Sequence, residues 1–524
     1  MSDTQARPWW HTGTIYQIYP RSFMDSNGDG IGDLAGIESK LDYLCELGIK
    51  ALWISPFSPS PMKDFGYDVA DYCDVDPIFG DLNAFARLAD AAHARGLKIL
   101  MDFVPSHTSD QHAWFRDSRS TTMSEKRDWY VWRDPKPDGS PPNNWISEFA
   151  GPAWTLDPTT GQYYLHIFLT EQPALNWHNP EVRAAMYDVM RFWFDRGVDG
   201  FRIDAFENLA PEPDRGDNLP NLEWDPKTGP ARSLHGTYSK HQPQAYDVAL
   251  DMRRVAEEYS PSRLLIGEIY GSIDQVMGYY GTHHDGFQLP FNFQLIEAPW
   301  TAPALAAIIA EYESKLPEGA WPNWVLGNHD RSRIASRVGA AQARNAAMLL
   351  LTLRGTPTIY QGDELGMENV TIPPDQVKDP WEVNVPGQGL GRDPVRTPLA
   401  WETGENGGFT TGTPWLPMDL SPGISVAEQT GDAASMLELH RLLLAQHVAH
   451  PALTLGDLVD VTATGPVLSY ARVHGDTRLD IALNLSDAPQ PMPFGGTCLI
   501  STRPAGPGAP DTLAPNEGRL MQAP

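Results

Sequence analysis

The stretch GVDGFRIDAFE, residues 197–207, sets Arg202 and Asp204 two residues apart in an otherwise apolar run. If both side chains leave a strand on the same face, the guanidinium keeps the carboxylate ionised and oriented, which is what a nucleophile needs. The bland alternative is an internal ion pair. Two more carboxylates bear on the choice. Glu268 ends the apolar run LLIGEI, where partial desolvation raises its pKa and suits it to act as a general acid. Asp330 ends LGNHD and is placed to grip a distorted sugar ring. Cleaving a glycosidic bond calls for this division: one carboxylate attacks carbon, and an acid about 5–5.5 Å away protonates the leaving oxygen when the anomeric configuration is retained. His107, after MDFVPS, and His329, in GNHD, are packing histidines or hydroxyl-binding ones. Asp64 and Tyr67, in KDFGYDVADY, supply a carboxylate and a phenol that could close the blind end of a sugar pocket.

A second acid-rich stretch lies near the start. DSNGDGIGD places side-chain oxygens at Asp25, Asn27, Asp29 and Asp33, with the Ile31 carbonyl between them and glycines allowing tight turns. The spacing follows the first nine positions of a calcium loop, but Gly36 stands where the bidentate glutamate belongs and no long helix precedes it. The expectation is a structural Ca²⁺ or Mg²⁺ site, with an Asx-rich turn as the alternative. No organic cofactor is called for.

These residues need a scaffold that brings distant segments together. Eight short apolar runs alternate with amphipathic stretches: 14–20, 49–56, 97–104, 198–205, 263–270, 286–291, 323–330 and 355–364. The helical segments between them are well punctuated. Asn179 caps one, Pro180 fits its first turn and Gly197 closes it. Apolar strands with helical crossovers imply a parallel sheet buried on both faces, and eight such units predict a (β/α)8 TIM barrel. Asp102, Arg202, Asp204, Glu268, Asn328, His329 and Asp330 all fall near the C-terminal ends of their runs. In a barrel those ends meet at one mouth. Residues 105–176, rich in Pro, Gly, Trp and Tyr, read as a domain inserted after the third strand. A further insertion spans roughly 207–250. Past 450 the period becomes two, which predicts a C-terminal all-β domain, a β-sandwich over 450–524, leaving 1–104 and 177–449 to the barrel.

The chain has 39 Lys plus Arg against 67 Asp plus Glu, a net charge of −28. That balance disfavours nucleic acid and anionic membrane as partners but leaves a neutral oligosaccharide free to bind. Cys45, Cys73 and Cys498 form no metal or disulfide pattern, and the first two read as small buried hydrophobes. There is no apolar run of 18 residues, and MSDTQARPWWHTG carries no secretory signal, so a cytoplasmic monomer or homo-oligomer is expected. Tryptophans in stretches such as PPNNWISEFAGPAW suit either a sugar-stacking groove or the packing of a loop-rich core.

Taken together, the blocks resemble the α-amylase family, glycoside hydrolase family 13, and within it the α-glucosidases and oligo-1,6-glucosidases. WWHTGTIYQIYPRSFMDSNGDGIGDLAGI resembles the start of those enzymes. MDFVPSH, GFRIDAF, IGEIY and LGNHD resemble four blocks around their barrel, and RDPVRTPLAW (392–401) resembles a further stretch of α-glucosidases. The resemblance implies Asp204 as nucleophile, Glu268 as acid/base and Asp330 as the carboxylate gripping ring hydroxyls. It implies Arg202 beside the nucleophile, and His107, His329, Asp64 and Tyr67 around the terminal glucose. Arg392 and Arg396 match arginines that close the pocket, and Asp25, Asn27, Asp29, Ile31 and Asp33 match the family's metal loop. Two positions depart. QPALN carries Ala174 where the family has Asp, and Ala205 follows the nucleophile where α-1,6-preferring members resemble one another in carrying Val.

The expected activity is that of a retaining, exo-acting α-glucosidase that prefers α-1,4 links at the non-reducing end of maltose-like oligosaccharides. A transglucosidase, trehalose synthase, sucrose isomerase or oligo-1,6-glucosidase would use the same residues. A non-enzymatic relative, the extracellular scaffold of an amino-acid transporter, would need a membrane anchor.

Overall fold

The computed structural model describes residues 7–523, so the first six residues read above for a secretory signal lie outside the described residues. Three strands open the chain: β1 (Ile15–Ile18), β2 (Ala51–Ile54) and β3 (Lys98–Phe103). An inserted region follows with β4 (Trp132–Arg133), β5 (Trp154–Leu156) and β6 (Tyr163–Leu165). The barrel resumes with β7 (Gly200–Ile203), β8 (Leu264–Gly267), β9 (Asn323–Val325) and β10 (Thr356–Tyr360). Seven of these form one parallel sheet in the order β8-β7-β3-β2-β1-β10-β9. Apart from half-buried Lys98 at the start of β3, its residues are buried, which is why the strands read as continuous apolar runs without alternation.

The expected eighth strand, at 286–291, is an irregular segment rather than a ladder. Leu289 and Phe291 donate from their backbones to Leu265 and Gly267 of β8, and Asn292 donates to Asn323 of β9. The segment therefore bridges the two edge strands and curls the sheet into a barrel. Pro290 has no N–H, which interrupts regular pairing there.

Local sequence signals account for the crossovers. Asp81 accepts from Ala84 N–H to start the helix Leu82–Ala94, and Asn179 accepts from Glu181 N–H to start Pro180–Phe194. Gly197 then turns the chain at φ 98°, a left-handed conformation that favours glycine. Register places Asp102 beside Arg202, and Arg202 beside Ile266, so charges on neighbouring strands meet.

The inserted region is a small antiparallel sheet, β4-β6-β5, over its own apolar cluster of Val131, Trp145, Trp154, Leu165, Ile167 and Ala174. The tryptophans serve packing here. Trp145, Trp154 and Trp132 are buried, and their indoles donate to Gly216 O, Asn143 Oδ1 and Ser118 Oγ. Ala174 joins this cluster and pairs backbone to backbone with Val131 and Leu165. The segment after β7 folds as short 3-10 turns braced against the inserted region through Arg133–Asp214 and Asn144–Asn218.

The C-terminal part comprises β11 (Asp457–Thr464), β12 (Val467–His474), β13 (Thr477–Asn484), β14 (Gln490–Pro491), β15 (Thr497–Ser501), β16 (Thr512–Leu513) and β17 (Gly518–Gln522). Five of them pair as an antiparallel sheet, β11-β12-β13-β17-β15, and β14 pairs with β16. Cys45 and Cys73 are half-buried free thiols rather than buried ones. Among the described residues, no helix is long and apolar enough to cross a membrane.

Candidate functional site

A cavity opens at the C-terminal ends of the barrel strands. It is lined by Asp64, Tyr67, His107, Asp204, Ala205, Glu268, Asp330 and Arg392 among the residues singled out in the sequence. Arg202, His329 and Arg396 do not line it. They lie beneath it, each 0% exposed, so they hold the lining residues rather than face a ligand.

Arg202 organises the floor. Its Nη1 donates to Asp102 Oδ1 at 2.7 Å and to Asp204 Oδ1 at 2.6 Å. Its Nη2 stands 2.8 Å from Glu268 Oε2 but out of line for a hydrogen bond. That oxygen instead accepts from Ala205 N–H at 2.8 Å. Ala205 is left-handed, φ 43° and ψ 41°, a conformation a residue with a Cβ adopts at a cost. The kink aims its N–H at Glu268.

Three carboxylates share one buried guanidinium, so they compete for protons. Burial pushes Asp102 up to about 6, Asp204 up to about 7 and Glu268 up to about 8, with Arg202 pulling each back. The last proton to leave the trio is therefore on Glu268, while Asp204 ionises earlier. Asp330 goes the other way. Burial would raise it, but the neighbouring His329 ring first, and then the Arg396, Arg392 and Arg202 cations, hold it well below the usual carboxylate range. Arg396 Nη2 donates to Asp330 Oδ1 at 2.7 Å and Arg392 Nη1 at 3.3 Å.

The histidines are neutral donors in a chain of hydrogen bonds. His329 Nδ1 accepts from Gln17 Nε2 at 2.8 Å, which leaves its proton on Nε2, 2.6 Å from the Tyr67 hydroxyl. Tyr67 in turn donates to Asp102 Oδ2 at 3.0 Å. Burial, with the surrounding arginines, pushes His329 far below its ordinary value, and burial takes His107 down to about 4. His107 lies 2.8 Å from Ser106 Oγ and 2.9 Å from Tyr67 O.

Sequence reasoning missed several lining and supporting groups. Gln172 donates to Asp64 at 3.2 Å, and Asp379 takes two donors from the Arg392 guanidinium, at 2.9 and 2.6 Å. Phe149, Phe168, Trp381, Glu148, Glu207, Asn208, Arg232, Lys240, Tyr270 and Arg331 complete the wall. Gln172 stood two residues from the conspicuous Ala174. KDPW, carrying Asp379, offered only a turn signal.

The loop Asp25–Asp33 departs from expectation. Among the described residues, no group of three or more His, Cys, Asp and Glu side chains is arranged to hold a metal ion, so the expected Ca²⁺ or Mg²⁺ site is overturned. The donors are spent locally. Asp25 accepts from the backbones of Asn27, Gly28 and Gly30 and from the Thr410 hydroxyl. Asn27 accepts from Asp29 N–H, Asp29 from Ile31 N–H, and Asp33 caps the helix Leu34–Ser39 while accepting from Ser26. These residues do not fit a cation, and the loop is a run of Asx turns.

Comparison with known proteins agrees with this architecture. The model of the α-amylase catalytic domain matches residues 17–456. A probable α-glucosidase of Rhizobium meliloti (strain 1021) is 43% identical over 497 residues, covering 92% of this chain and 90% of that protein. The crystal structure of the α-glucosyl transfer enzyme XgtA superposes with a TM-score of 0.93 at 38% identity, covering 99% of this chain and 100% of the other. The trehalulose synthase MutB of Pseudomonas mesoacidophila MX-45 gives 0.90 at 34%, with the same coverage. Conserved architecture and a matching family model over most of the barrel lead to one conclusion: the chain belongs to the α-amylase family, glycoside hydrolase family 13, and is related to its α-glucosidase and oligo-1,6-glucosidase subgroup.

Proposed function

We propose that this protein is a retaining enzyme acting on α-glucosides, and that it passes the glucosyl group to a sugar acceptor, or back to its own released partner, in preference to water. Simple exo-hydrolysis, the expectation from sequence, is the second reading. The observation that carries the proposal is the suspension of Asp204 and Glu268 from the two terminal nitrogens of one guanidinium. This limits their separation and suits the close spacing, about 5–5.5 Å, of double displacement. Asp204 keeps Oδ2 free of the Arg202 contact for attack on the anomeric carbon. Glu268 keeps Oε1 free to protonate the leaving oxygen, and the same carboxylate then takes the proton of the incoming hydroxyl. Asp330, held ionised, grips ring hydroxyls as the sugar flattens toward an oxocarbenium ion, and Asp64 with Arg392 closes the blind end.

Transfer is favoured over hydrolysis by two supports. The relatives of known structure named above are a glucosyl transfer enzyme and a trehalulose synthase. The cavity wall outside the carboxylates carries the aromatic side chains Phe149, Phe168 and Trp381, apolar surface of the kind that suits a second sugar ring over bulk water. The test is product analysis on maltose and on sucrose at high concentration, by NMR with time. With sucrose, transfer products and isomers should outweigh free glucose early; with maltose, whose own leaving group is glucose, free glucose should stay well below the two per maltose consumed that hydrolysis gives, with the α-anomer appearing first. Glucose in full stoichiometry at every concentration would restore the hydrolase reading, and β-glucose first would remove retention.

A further inference from the structure

Gln17, on β1, is 0% exposed and does not line the sugar cavity. Its Nε2 lies 3.2 Å from Ser55 Oγ and 2.8 Å from His329 Nδ1, while its Oε1 finds no donor in the protein. An amide with an unmet oxygen in a barrel core is a cost that an apolar side chain of like size would avoid. What the nitrogen holds explains its place.

Valence fixes where the protons lie. Tyr67 Oη stands 2.6 Å from His329 Nε2 and 3.0 Å from Asp102 Oδ2. The phenol has one proton. Ionised Asp102 can only accept, and it already takes Arg202 Nη1 at 2.7 Å and Trp53 Nε1 at 3.1 Å, so the phenol proton goes to Asp102. The contact between Nε2 and Oη then needs its proton from the imidazole. Asp330 Oδ2, 3.3 Å from the same Nε2, makes the same demand from the cavity side. His329 has one proton to give, because burial and the Arg396, Arg202 and Arg392 cations hold it neutral against the pull of Asp330. The Tyr19 and Trp53 rings beside the imidazole bring no charge. His329 Nδ1 is therefore a bare lone pair inside the barrel, and Gln17 Nε2 is the donor that answers it.

We infer that Gln17 is a positioning residue: its amide pins the His329 proton on Nε2 and so sets the direction of the run Gln17–His329–Tyr67–Asp102, in which every proton points toward a carboxylate of the site. Gln17 touches no substrate and acts through His329. This role rests on the retaining reading above for what Asp204 and Asp330 do, and it is the same whether sugar or water takes the glucosyl group. Without the amide the other tautomer becomes available. A proton on Nδ1 leaves Nε2 as an acceptor, Tyr67 turns its hydroxyl to it, and Asp102 loses a donor. Asp330 then faces a lone pair in place of a proton. A donor lost from an ionised carboxylate raises the proton affinity of the set Asp102, Asp204 and Glu268 that shares Arg202.

Neutron diffraction from deuterium-exchanged crystals of the wild type at neutral pH reads the protons directly. Deuterium should lie on His329 Nε2, on the Tyr67 hydroxyl toward Asp102, and on the Gln17 amide nitrogen toward Nδ1. Deuterium on His329 Nδ1 would overturn the role of Gln17 with no variant needed. Gln17→Met keeps the volume and removes the donor. With an activated aryl α-glucoside, the acid limb of kcat/KM should move up by about one pH unit, the effect of one hydrogen bond to a charged group. The same variant should lower kcat about tenfold as Asp330 loses support, with KM changed by less than about threefold. A limb that stays in place would overturn the role. Tyr67→Phe cuts the run between the imidazole and Asp102 and should raise the limb by itself. Adding Gln17→Met to Tyr67→Phe should move it no further, whereas damage from packing alone adds. A full second shift in the double variant would count against Gln17 in the same way. Turnover near wild type in Asp204→Asn would instead overturn the reading on which the role stands, and would leave the deuterium positions as they are.

Discussion

Two acid-rich regions of this molecule, the floor of the barrel mouth and the loop Asp25–Asp33, use the same residue types to opposite ends. In the loop the principal carboxylates are answered by nearby backbone N–H groups or hydroxyls. Burial pushes Asp25 up, but its hydrogen bonds to Thr410, Gly30, Gly28 and Asn27 outweigh that and hold it low. At the barrel floor three carboxylates compete for Arg202 and are raised by burial. The lesson concerns supply of donors. Aspartates surrounded by glycine turns satisfy themselves and become structure. Aspartates and glutamates brought together at strand ends cannot, and the unmet demand is what chemistry draws upon.

The sharpest way to break this contrast is at the floor. Asp204→Asn should lower kcat by a factor on the order of 10⁴, since an amide is a poor nucleophile and the group acts as part of a unit. Turnover near wild type would remove Asp204 from the role. Glu268→Gln should cost about 10²–10⁴ with maltose and far less with an activated aryl glucoside, whose leaving oxygen needs little protonation. The sign of the pH dependence follows from the two carboxyls. Activity needs Asp204 ionised, so kcat/KM falls as pH drops through about 7. It needs Glu268 protonated, so kcat/KM falls as pH rises through about 8. The two limbs belong to the coupled set, and Glu268→Gln should abolish the alkaline one. An alkaline limb that persists would assign that proton elsewhere.

At the loop the expected effect is on stability. Asp25→Ala strips three backbone donors and a hydroxyl of their acceptor and should cost about 3 kcal/mol, read as a lower midpoint in denaturant with kcat unchanged. A carboxyl whose folded pKa is depressed contributes above its unfolded value and loses that contribution as pH falls through the folded one. The gap between wild type and variant should therefore close in acid. Exhaustive chelation should shift neither protein. A chelator that lowers the wild-type midpoint would mean that the contrast between loop and floor is false.

What could be read from sequence follows the same physics. Strand-end carboxylates were legible because a charge in a buried apolar run has few explanations, and caps such as Asn179 were legible because their chemistry is local. Two kinds of feature were not. The eighth strand failed at Pro290, where pairing with two neighbours was needed and only tertiary context could say how far it survived. Asp379 and Phe149 reach the cavity from segments whose placement depends on how the insertions pack, and nothing in their own neighbours signals it. The loop Asp25–Asp33 was misread for a related reason: metal ligation and Asx turns demand the same residues at the same spacing, and they differ only in which way the oxygens face.

The smallest expected effect lies where the contrast is finest, at Ala205, whose backbone joins the strained turn to the acid. Its left-handed conformation costs roughly 1–2 kcal/mol for an L-residue. Ala205→Gly relieves this but adds freedom to the unfolded chain worth about 0.4–1 kcal/mol, so stability should move by less than about 1 kcal/mol. Ala205→Val is different in kind, because a β-branched side chain tolerates φ 43° poorly and two added methyl groups enter the cavity beside the leaving sugar. Two readings separate the consequences. The ratio of kcat/KM for maltose over isomaltose should fall by a factor corresponding to roughly 1–3 kcal/mol at most if the methyl groups crowd the α-1,4 aglycone. The Ala205 N–H also holds Glu268 down, so a turn displaced by valine should carry the alkaline limb of kcat/KM to higher pH. A changed linkage ratio with an unmoved limb would mean that valine acts by bulk alone. A moved limb with an unchanged ratio would make Ala205 a backbone device for poising the acid, and would place linkage preference in the insertion after β7.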